Sequence, residues 1–185
     1  MNSYRVLAVT NLWPYEGDPS YGCFIKAQMD SLRPLGVDYE VMFIKGRESR
    51  WNYLWAYPQL WRRLRANRYD LIHAHMGLAA LVARFQVTTP LVISFMGFDV
   101  SGKYGSSEHI PLFGRFYQLS SFILARLASA VIVMSTEMRQ HLKLASAYII
   151  GNGVDLNLFR PEKFFDYVDL SGCIAIKTFS ILRKR

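Results

Sequence analysis

Three titratable side chains lie at the ends of two apolar segments in the middle of the chain. His73 and His75 close the first segment, and Asp99 follows the second. An imidazole at His75 can donate or accept a hydrogen bond near neutral pH. A carboxylate at Asp99 can accept hydrogen bonds from substrate hydroxyls, or it can cap the turn in which it lies. We therefore take His75 and Asp99 as candidate binding residues and expect His73 to be buried and hydrogen-bonded.

The spacing of the two histidines also raises the question of a metal site. Side chains two residues apart on a strand leave the same face, so His73 and His75 could form a pair of ligands. A metal site would need a third ligand, and only His109, His141 and scattered carboxylates remain in the sequence. We therefore expect no metal.

The elements that must position these residues form a βαβ unit. Leu71–His75 and Pro90–Phe95 are short, rich in branched or aromatic residues and followed closely by glycine, as buried strands are, and Leu78–Phe85 has helical spacing. Two strands joined in this way lie parallel in one sheet, so their polar ends share its carboxyl edge. Ligands of open α/β sheets bind at that edge. We therefore expect His75 and Asp99 to share one rim.

The rest of the chain continues the alternation of strands and helices. Further strands are predicted at Arg5–Thr10, Tyr39–Ile44, Val131–Met134 and Ala147–Ile150, and further helices at Gly22–Leu35, Trp51–Arg68, Pro111–Ala128 and Thr136–Leu144. Pro58 is expected to kink or restart the second of these helices. The order of elements predicts an α/β fold, a doubly wound parallel sheet with helices on both faces. We expect one domain over residues 1–161 and an atypical tail over 162–185, too short for a core of its own.

The composition of the chain limits which partners and which cellular compartment are expected. The chain has 185 residues, of which 51% are apolar, and a formal net charge of +8. Such a charge suits an anionic ligand, a phospholipid surface or nucleic acid. Cys23 and Cys173 have no metal or redox spacing, and the start does not resemble a signal peptide, so we expect a cytoplasmic protein. No apolar run approaches the ~20 residues of a membrane span.

One segment interleaves basic and aromatic side chains. Trp51–Arg68 and the loop before it alternate arginines and one lysine with tryptophans and tyrosines. A helix of this composition suits an anionic membrane interface, where aromatic rings lie at the level of the headgroups. The alternative is a solvated charged face whose tryptophans pack onto the sheet. No RNP-like, helix-turn-helix or zinc-finger pattern accompanies the charge, so we expect no nucleic-acid partner.

Two glycine-bearing segments lie outside the central unit. Gly22 begins the first helix, where a glycine lets a phosphate approach backbone N–H groups and the positive helix end. A loop that simply needs a flexible residue would also use glycine there. Gly151–Asp155 is a turn cluster that marks either the end of a domain or a hinge.

Taken in order, these residues resemble the N-terminal half of glycosyltransferase family 4, which has the GT-B fold. The stretches that carry the resemblance are YDLIHAH, PLVISFMGFDV and GNGVDLNLFRP, and the likeness covers about residues 4–161. It implies a Rossmann-like domain that holds the acceptor and faces a second domain, which holds most of a nucleotide-sugar donor. The implied acceptors are glycans or lipid-linked sugars, and no metal is implied.

The resemblance also implies roles for single residues. His75 would lie near the transferred sugar as the catalytic residue, and Gly22 would meet the donor phosphates. Asp99, Gly97 and Met96 would lie in the acceptor cleft. Asn152 and Gly153 would form the hinge to the donor domain.

Three departures from the family pattern set limits on these expectations. Met96 stands where the family usually has a histidine, and a thioether cannot donate a hydrogen bond. The first loop has one glycine beside Tyr21 where the family often has two. The paired glutamates of the donor half do not occur after Pro161. We therefore expect the chain to be inactive without a donor domain, or to be a non-enzymatic module that binds a membrane or a partner.

Overall fold

A six-stranded parallel sheet forms the centre of the protein. The computed structural model describes residues 3–103 and 110–153. Within these residues the strand order is β2-β1-β3-β4-β5-β6 and every neighbouring pair is parallel. The strands are β1 Tyr4–Thr10, β2 Val37–Phe43, β3 Leu71–His75, β4 Leu91–Ser94, β5 Ala130–Val133 and β6 Tyr148–Ile149. The predicted α/β fold is confirmed. The predicted tail, residues 162–185, lies outside the described residues.

Helices cover both faces of this sheet. They are α1 Cys23–Asp30, α2 Asn52–Ala66, α3 Gly77–Ala83, α4 Phe98–Ser101, α5 Leu112–Leu127 and α6 Thr136–Leu142. Ile25 and Met29 of α1 pack with Val6 on one face. The buried residues of α2, α3, α5 and α6 pack with Leu7 and Val9 on the other face. Alternate residues of a strand point to opposite faces, so each strand contributes to both cores.

The helices differ from the prediction at three places. The first helix ends at Asp30 and is followed by a 3₁₀ turn at Arg33–Leu35, because Pro34 has no N–H for the Asp30 carbonyl and its ring clashes with that carbonyl in an α-helix. The second helix runs through Pro58 without a restart, so that part of the expectation for Pro58 is wrong, whereas the expected kink stays a prediction, and Pro58 is exposed. The short helix α4 was not predicted, and it contains Asp99.

The register of the central strands sets the position of the candidate residues. Thr10, the last residue of β1, lies opposite His75, the last residue of β3. His75 in turn lies opposite Ser94, the last residue of β4. Three polar side chains thus end three adjacent strands at the carboxyl edge, as the βαβ pattern predicted for His75.

Candidate active site

The three strand-ending polar residues project from the face that α1 covers. Thr10, His75 and Ser94 share strand parity with Val6, Leu71 and Val92, respectively, which pack against α1. The Thr10 hydroxyl exchanges hydrogen bonds of 3.0 Å with the backbone N–H and C=O of Leu12. The Ser94 hydroxyl lies 2.8 Å from Nε2 of His73. Both hydroxyls beside His75 are therefore already engaged.

His75 is a buried imidazole without a hydrogen-bond partner among the described residues. Its exposed fraction is 0%, and neither ring nitrogen is bonded. The ring of His73 lies 4.1 Å away, between centroids. Burial and the neighbouring His73 lower the pKa of His75 well below its usual value, and burial lowers the pKa of His73 to about 4. Both rings are therefore neutral at pH 7, and the nitrogens of His75 keep their full capacity to bond a ligand.

Asn11, which sequence analysis missed, has unused capacity at the same edge. It follows Thr10 directly, and its Oδ1 is buried without a partner among the described residues. Its Nδ2 donates to the Tyr53 hydroxyl at 2.9 Å, which fixes the orientation of the amide. A buried acceptor without a partner is unusual, because buried polar groups are nearly always bonded. The only sequence signal for Asn11 was its place after the first strand.

Asp99 bonds to the backbone rather than to open space. Its exposed fraction is 0%. Its carboxylate accepts from the N–H groups of Gly97 at 2.9 Å, Met96 at 3.1 Å and Gly77 at 3.1 Å. Its own carbonyl accepts from the Ser121 hydroxyl at 2.6 Å. Burial raises the pKa of Asp99 to about 6, against the opposing effect of the three N–H donors. The side chain thus ties the loop after β4 to the start of α3.

The backbone beside these residues adopts conformations that few side chains allow. Met76, directly after His75, has φ 73° and ψ 153°. Gly97 has φ 132° and ψ −79°, although a Cβ there would meet no atom within 4 Å. Positive φ at a residue other than Gly, Asn or Asp costs free energy and is concentrated at functional sites. The backbone directly after His75 is therefore strained at Met76, whereas Gly97 adopts a conformation that suits glycine.

Gly22 is needed by its own loop. It has φ 70°, and a Cβ there would lie 2.4 Å from the carbonyl carbon of Leu12. The loop after β1 therefore folds back so that the Leu12–Trp13 peptide lies against Gly22. No acidic residue occupies the first turn of α1, so the positive helix end is uncompensated there.

The remaining predicted site residues lie at the periphery. Met96 is partly exposed, and Asn152 and Gly153 are exposed at the end of the described segment. Among the described residues, no three histidine, cysteine, aspartate or glutamate side chains lie close enough together to hold a metal ion. No helix of the described segments is long and apolar enough to cross a membrane.

Comparison with known proteins identifies the family. The family model described as Glycosyltransferase Family 4 matches residues 14–158. The chain belongs to glycosyltransferase family 4. No curated protein gives a significant sequence match.

Solved structures share the fold of this chain. A sucrose-phosphate synthase from Thermosynechococcus elongatus superposes with a TM-score of 0.62 at 15% identity, over 87% of this chain and 51% of that chain. A second structure under the same enzyme name and organism gives a TM-score of 0.56 at 13% identity, over 99% and 98%. The chain spans about half the length of the first structure. At such identities the likeness shows the fold alone, one Rossmann-like half of a GT-B architecture.

The roles that the resemblance implied for single residues stay predictions. The structure brings His75 to the carboxyl edge, but fully buried. It brings Asp99 to the same edge, with the carboxylate turned toward backbone amides. It gives Gly22 a packing role that is compatible with a phosphate-binding one.

Proposed function

We propose that this chain is the acceptor-side half of a glycosyltransferase. Paired with a C-terminal donor domain, it would transfer a sugar from a nucleotide-sugar to a glycan or a lipid-linked acceptor, and it is inactive alone. The observation that carries the proposal is His75, a neutral, fully buried imidazole with both nitrogens unbonded at the carboxyl edge of a family 4 domain. A buried polar group without a partner is destabilising, so its presence is explained by a ligand that bonds to it.

In the proposed reaction, His75 is the catalytic residue that bonds a hydroxyl of the transferred sugar. Inside a water-excluded site such a bond is stronger than it is in water. Asn11 supplies an acceptor at the neighbouring strand end. Because the ring is fully buried, a ligand reaches it only after the surrounding loops move apart.

The other predicted residues act around this imidazole. The carboxylate of Asp99 accepts hydrogen bonds from the N–H groups of Gly97 and Met96. Asp99 therefore acts on the acceptor cleft by holding the loop after β4 in place. Gly22 lets the donor phosphates approach the N-terminus of α1. The positive helix end stabilises the negative charge of the leaving nucleotide, so no metal is needed. Asn152 and Gly153 form the hinge to the donor domain. We place the reaction in the cytoplasm.

The proposal is tested by histidine NMR during binding of the transferred sugar. The purified chain, labelled with ¹⁵N in its histidine rings, is titrated with a panel of nucleotide-sugars and with the matching free monosaccharides at high concentration. The His75 ring signals, assigned by loss in the His75→Phe variant, are expected to shift when the sugar of the donor binds. The exposed His141 is the internal control. Shifts confined to His141, or no shift with any of these sugars, would overturn the role of His75.

The need for a donor domain has a separate test. The purified chain, mixed with radiolabelled nucleotide-sugars and acceptors, is expected to give no transfer. Robust turnover would show that a second domain is not required. A downstream coding segment with paired glutamates, expressed together with this chain, is expected to restore transfer, and the His75→Phe variant is expected to abolish it.

A second candidate function is a non-enzymatic module that binds anionic membranes through α2. The alternative was that the tryptophans of this segment pack onto the sheet. Trp51 and Trp55 are 70% and 67% exposed, and Trp61 is also exposed, so this alternative is wrong. Arg62, Arg65 and Arg68 are exposed on the same segment. If the protein stays in the soluble fraction with phosphatidylglycerol vesicles at low salt, this function is excluded.

A further inference from the structure

A stripe of exposed apolar side chains runs along the outer surface of α5. We call this stripe the α5 face. Leu119 is 61% exposed and Ile123 is 48% exposed. The further members of the stripe are Leu112, Phe113, Phe116 and Leu127. At 100° per residue the stripe, with Phe113 at its margin, lies opposite the buried Gly114, Ser121 and Ala125, so it is the solvent side of a helix about 24 Å long.

The α5 face borders an apolar groove. The groove separates α5 from the end of α3 and has a volume of about 520 Å³. Its lining from the α3 side is Leu81, Arg84 and Phe85. Phe85 is itself 60% exposed and makes an edge-to-face contact with Tyr57 of α2, at 4.3 Å between ring centroids. The groove therefore joins the α5 face to the tryptophan-bearing helix α2 across α3.

The helices that form this surface supply basic and no acidic side chains. The sequences of α2, α3 and α5 contain no aspartate and no glutamate, but they contain five arginines, of which Arg63 is paired with Glu40 of β2. Arg115 and Arg126 lie one turn and two turns from Leu119, on the same flank of the stripe. Arg84 lines the groove, and one of its guanidinium nitrogens donates to the Gln86 carbonyl at 3.0 Å.

We propose that the α5 face docks on an anionic lipid bilayer, with an acyl chain in the groove and a headgroup phosphate on Arg84. The proposal deepens the membrane-binding function proposed above, but it rests on other helices. Apolar side chains would enter the boundary between headgroups and acyl chains, and Arg84 and Arg115 would bond phosphates. The guanidinium of Arg126 already donates to the carbonyls of Phe122, Leu142 and Lys143. A second copy fits less well, since self-pairing would bring arginines together with no carboxylate from these helices to neutralise them.

Vesicle flotation of the full chain tests the proposal with a matched pair of variants. Leu119→Glu and Tyr148→Glu each replace an exposed apolar side chain by a carboxylate, but Tyr148 lies on the edge strand β6. On phosphatidylglycerol vesicles, Leu119→Glu is expected to lower the ratio of bound to free protein by about tenfold or more, because an apolar anchor is lost. The control is expected to change it less than about fivefold.

The headgroup contact has its own pair of variants. Arg84→Gln is expected to lower the preference for phosphatidylglycerol over phosphatidylcholine by about fivefold. Lys26→Gln on α1, which covers the opposite sheet face, is expected to leave that preference nearly unchanged. Two outcomes would overturn the proposal. The first is equal flotation of Leu119→Glu and wild type. The second is a dimer in sedimentation equilibrium that Leu119→Glu dissociates while flotation is unchanged.

Discussion

The carboxylate of Asp99 accepts a hydrogen bond from the backbone N–H of Gly77 at 3.1 Å, and the two residues are 22 positions apart in the sequence. Gly77 begins α3, directly after the strained Met76, and a Cβ at Gly77 would lie 3.5 Å from Cβ of Asp99. The bond therefore joins the two loops that flank His75 on the sheet edge. An aspartate expected to bind substrate is first a clamp on the backbone that shapes the site.

The clamp predicts that Asp99→Asn destabilises the fold. An asparagine amide keeps the shape but replaces one acceptor oxygen by an N–H₂ donor, which then faces a backbone N–H such as that of Gly97. We expect the free energy of unfolding to fall by about 1–3 kcal/mol, measured by urea denaturation at pH 7. The matched control is Asp38→Asn, an exposed aspartate on β2, which is expected to change stability by less than about 0.5 kcal/mol. Equal effects of the two variants would contradict the clamp.

The conformation of Gly97 predicts a cost for any side chain there. Gly97→Ala introduces a Cβ into open space, so any loss of stability comes from φ 132° alone. We expect a loss of about 1–3 kcal/mol in the free energy of unfolding. Gly151→Ala is the control, because a Cβ at Gly151 also meets nothing and its φ is ordinary. That change is expected to be neutral or slightly stabilising. If both alanines are neutral, the loop after β4 has relaxed and the strain argument is wrong.

The shared edge could be predicted from sequence because it follows from chain topology alone. Two apolar segments joined by a helix make parallel neighbours, so His75 and the loop that contains Asp99 had to reach the same edge. The parallel sheet followed from the same alternation, and the family followed from the order of the motifs, but the strand order was not predicted.

What could not be predicted depends on contacts between residues far apart in sequence. The bond from the Gly77 N–H to the Asp99 carboxylate joins residues 22 apart, whereas the bonds from Met96 and Gly97 form the turn cap that the sequence offered as one alternative. His75 lacks a partner because Ser94 pairs with His73 and Thr10 pairs with its own loop. Likewise, periodicity identifies α5 as a helix, but it does not reveal that no described element covers its outer stripe.

The backbone at Met76 predicts a stabilising substitution. Its φ of 73° and ψ of 153° suit glycine, so Met76→Gly removes strain at the N-terminal end of α3. We expect thermal and urea unfolding to show a net gain of up to about 1 kcal/mol, after the entropic cost of glycine. Met138→Gly, within α6, is the control and is expected to cost about 1 kcal/mol. A loss at Met76 as large as the loss at Met138 would show that the methionine side chain outweighs the strain.

The buried histidine pair predicts loss of stability in acid. Burial lowers the pKa of His73 to about 4, and burial together with the neighbouring His73 lowers the pKa of His75 well below the ordinary 6.5. In the unfolded chain both rings take up a proton as the pH falls through 6.5, but in the fold they remain neutral. The stability that they contribute above pH 6.5 is therefore lost as the pH falls toward their folded pKa values. The pKa of Asp99 is raised to about 6, so its protonation stabilises the fold as the pH falls below 6. This single group opposes two histidines, so we expect a net loss of stability.

His75→Phe isolates the share of the unpartnered ring in this acid loss. Phenylalanine has a similar shape, does not titrate and leaves no buried polar atom without a partner, so we expect stability at pH 7 to be unchanged or higher. Relative to wild type, the variant is expected to gain about 2 kcal/mol more between about pH 7 and pH 5, because only the wild-type unfolded chain protonates this ring. Urea unfolding at both pH values measures the difference. If the difference in free energy of unfolding between the variant and wild type is the same at both pH values, His75 accepts a proton in the folded protein. The proposal that a neutral buried ring awaits a ligand would then be wrong.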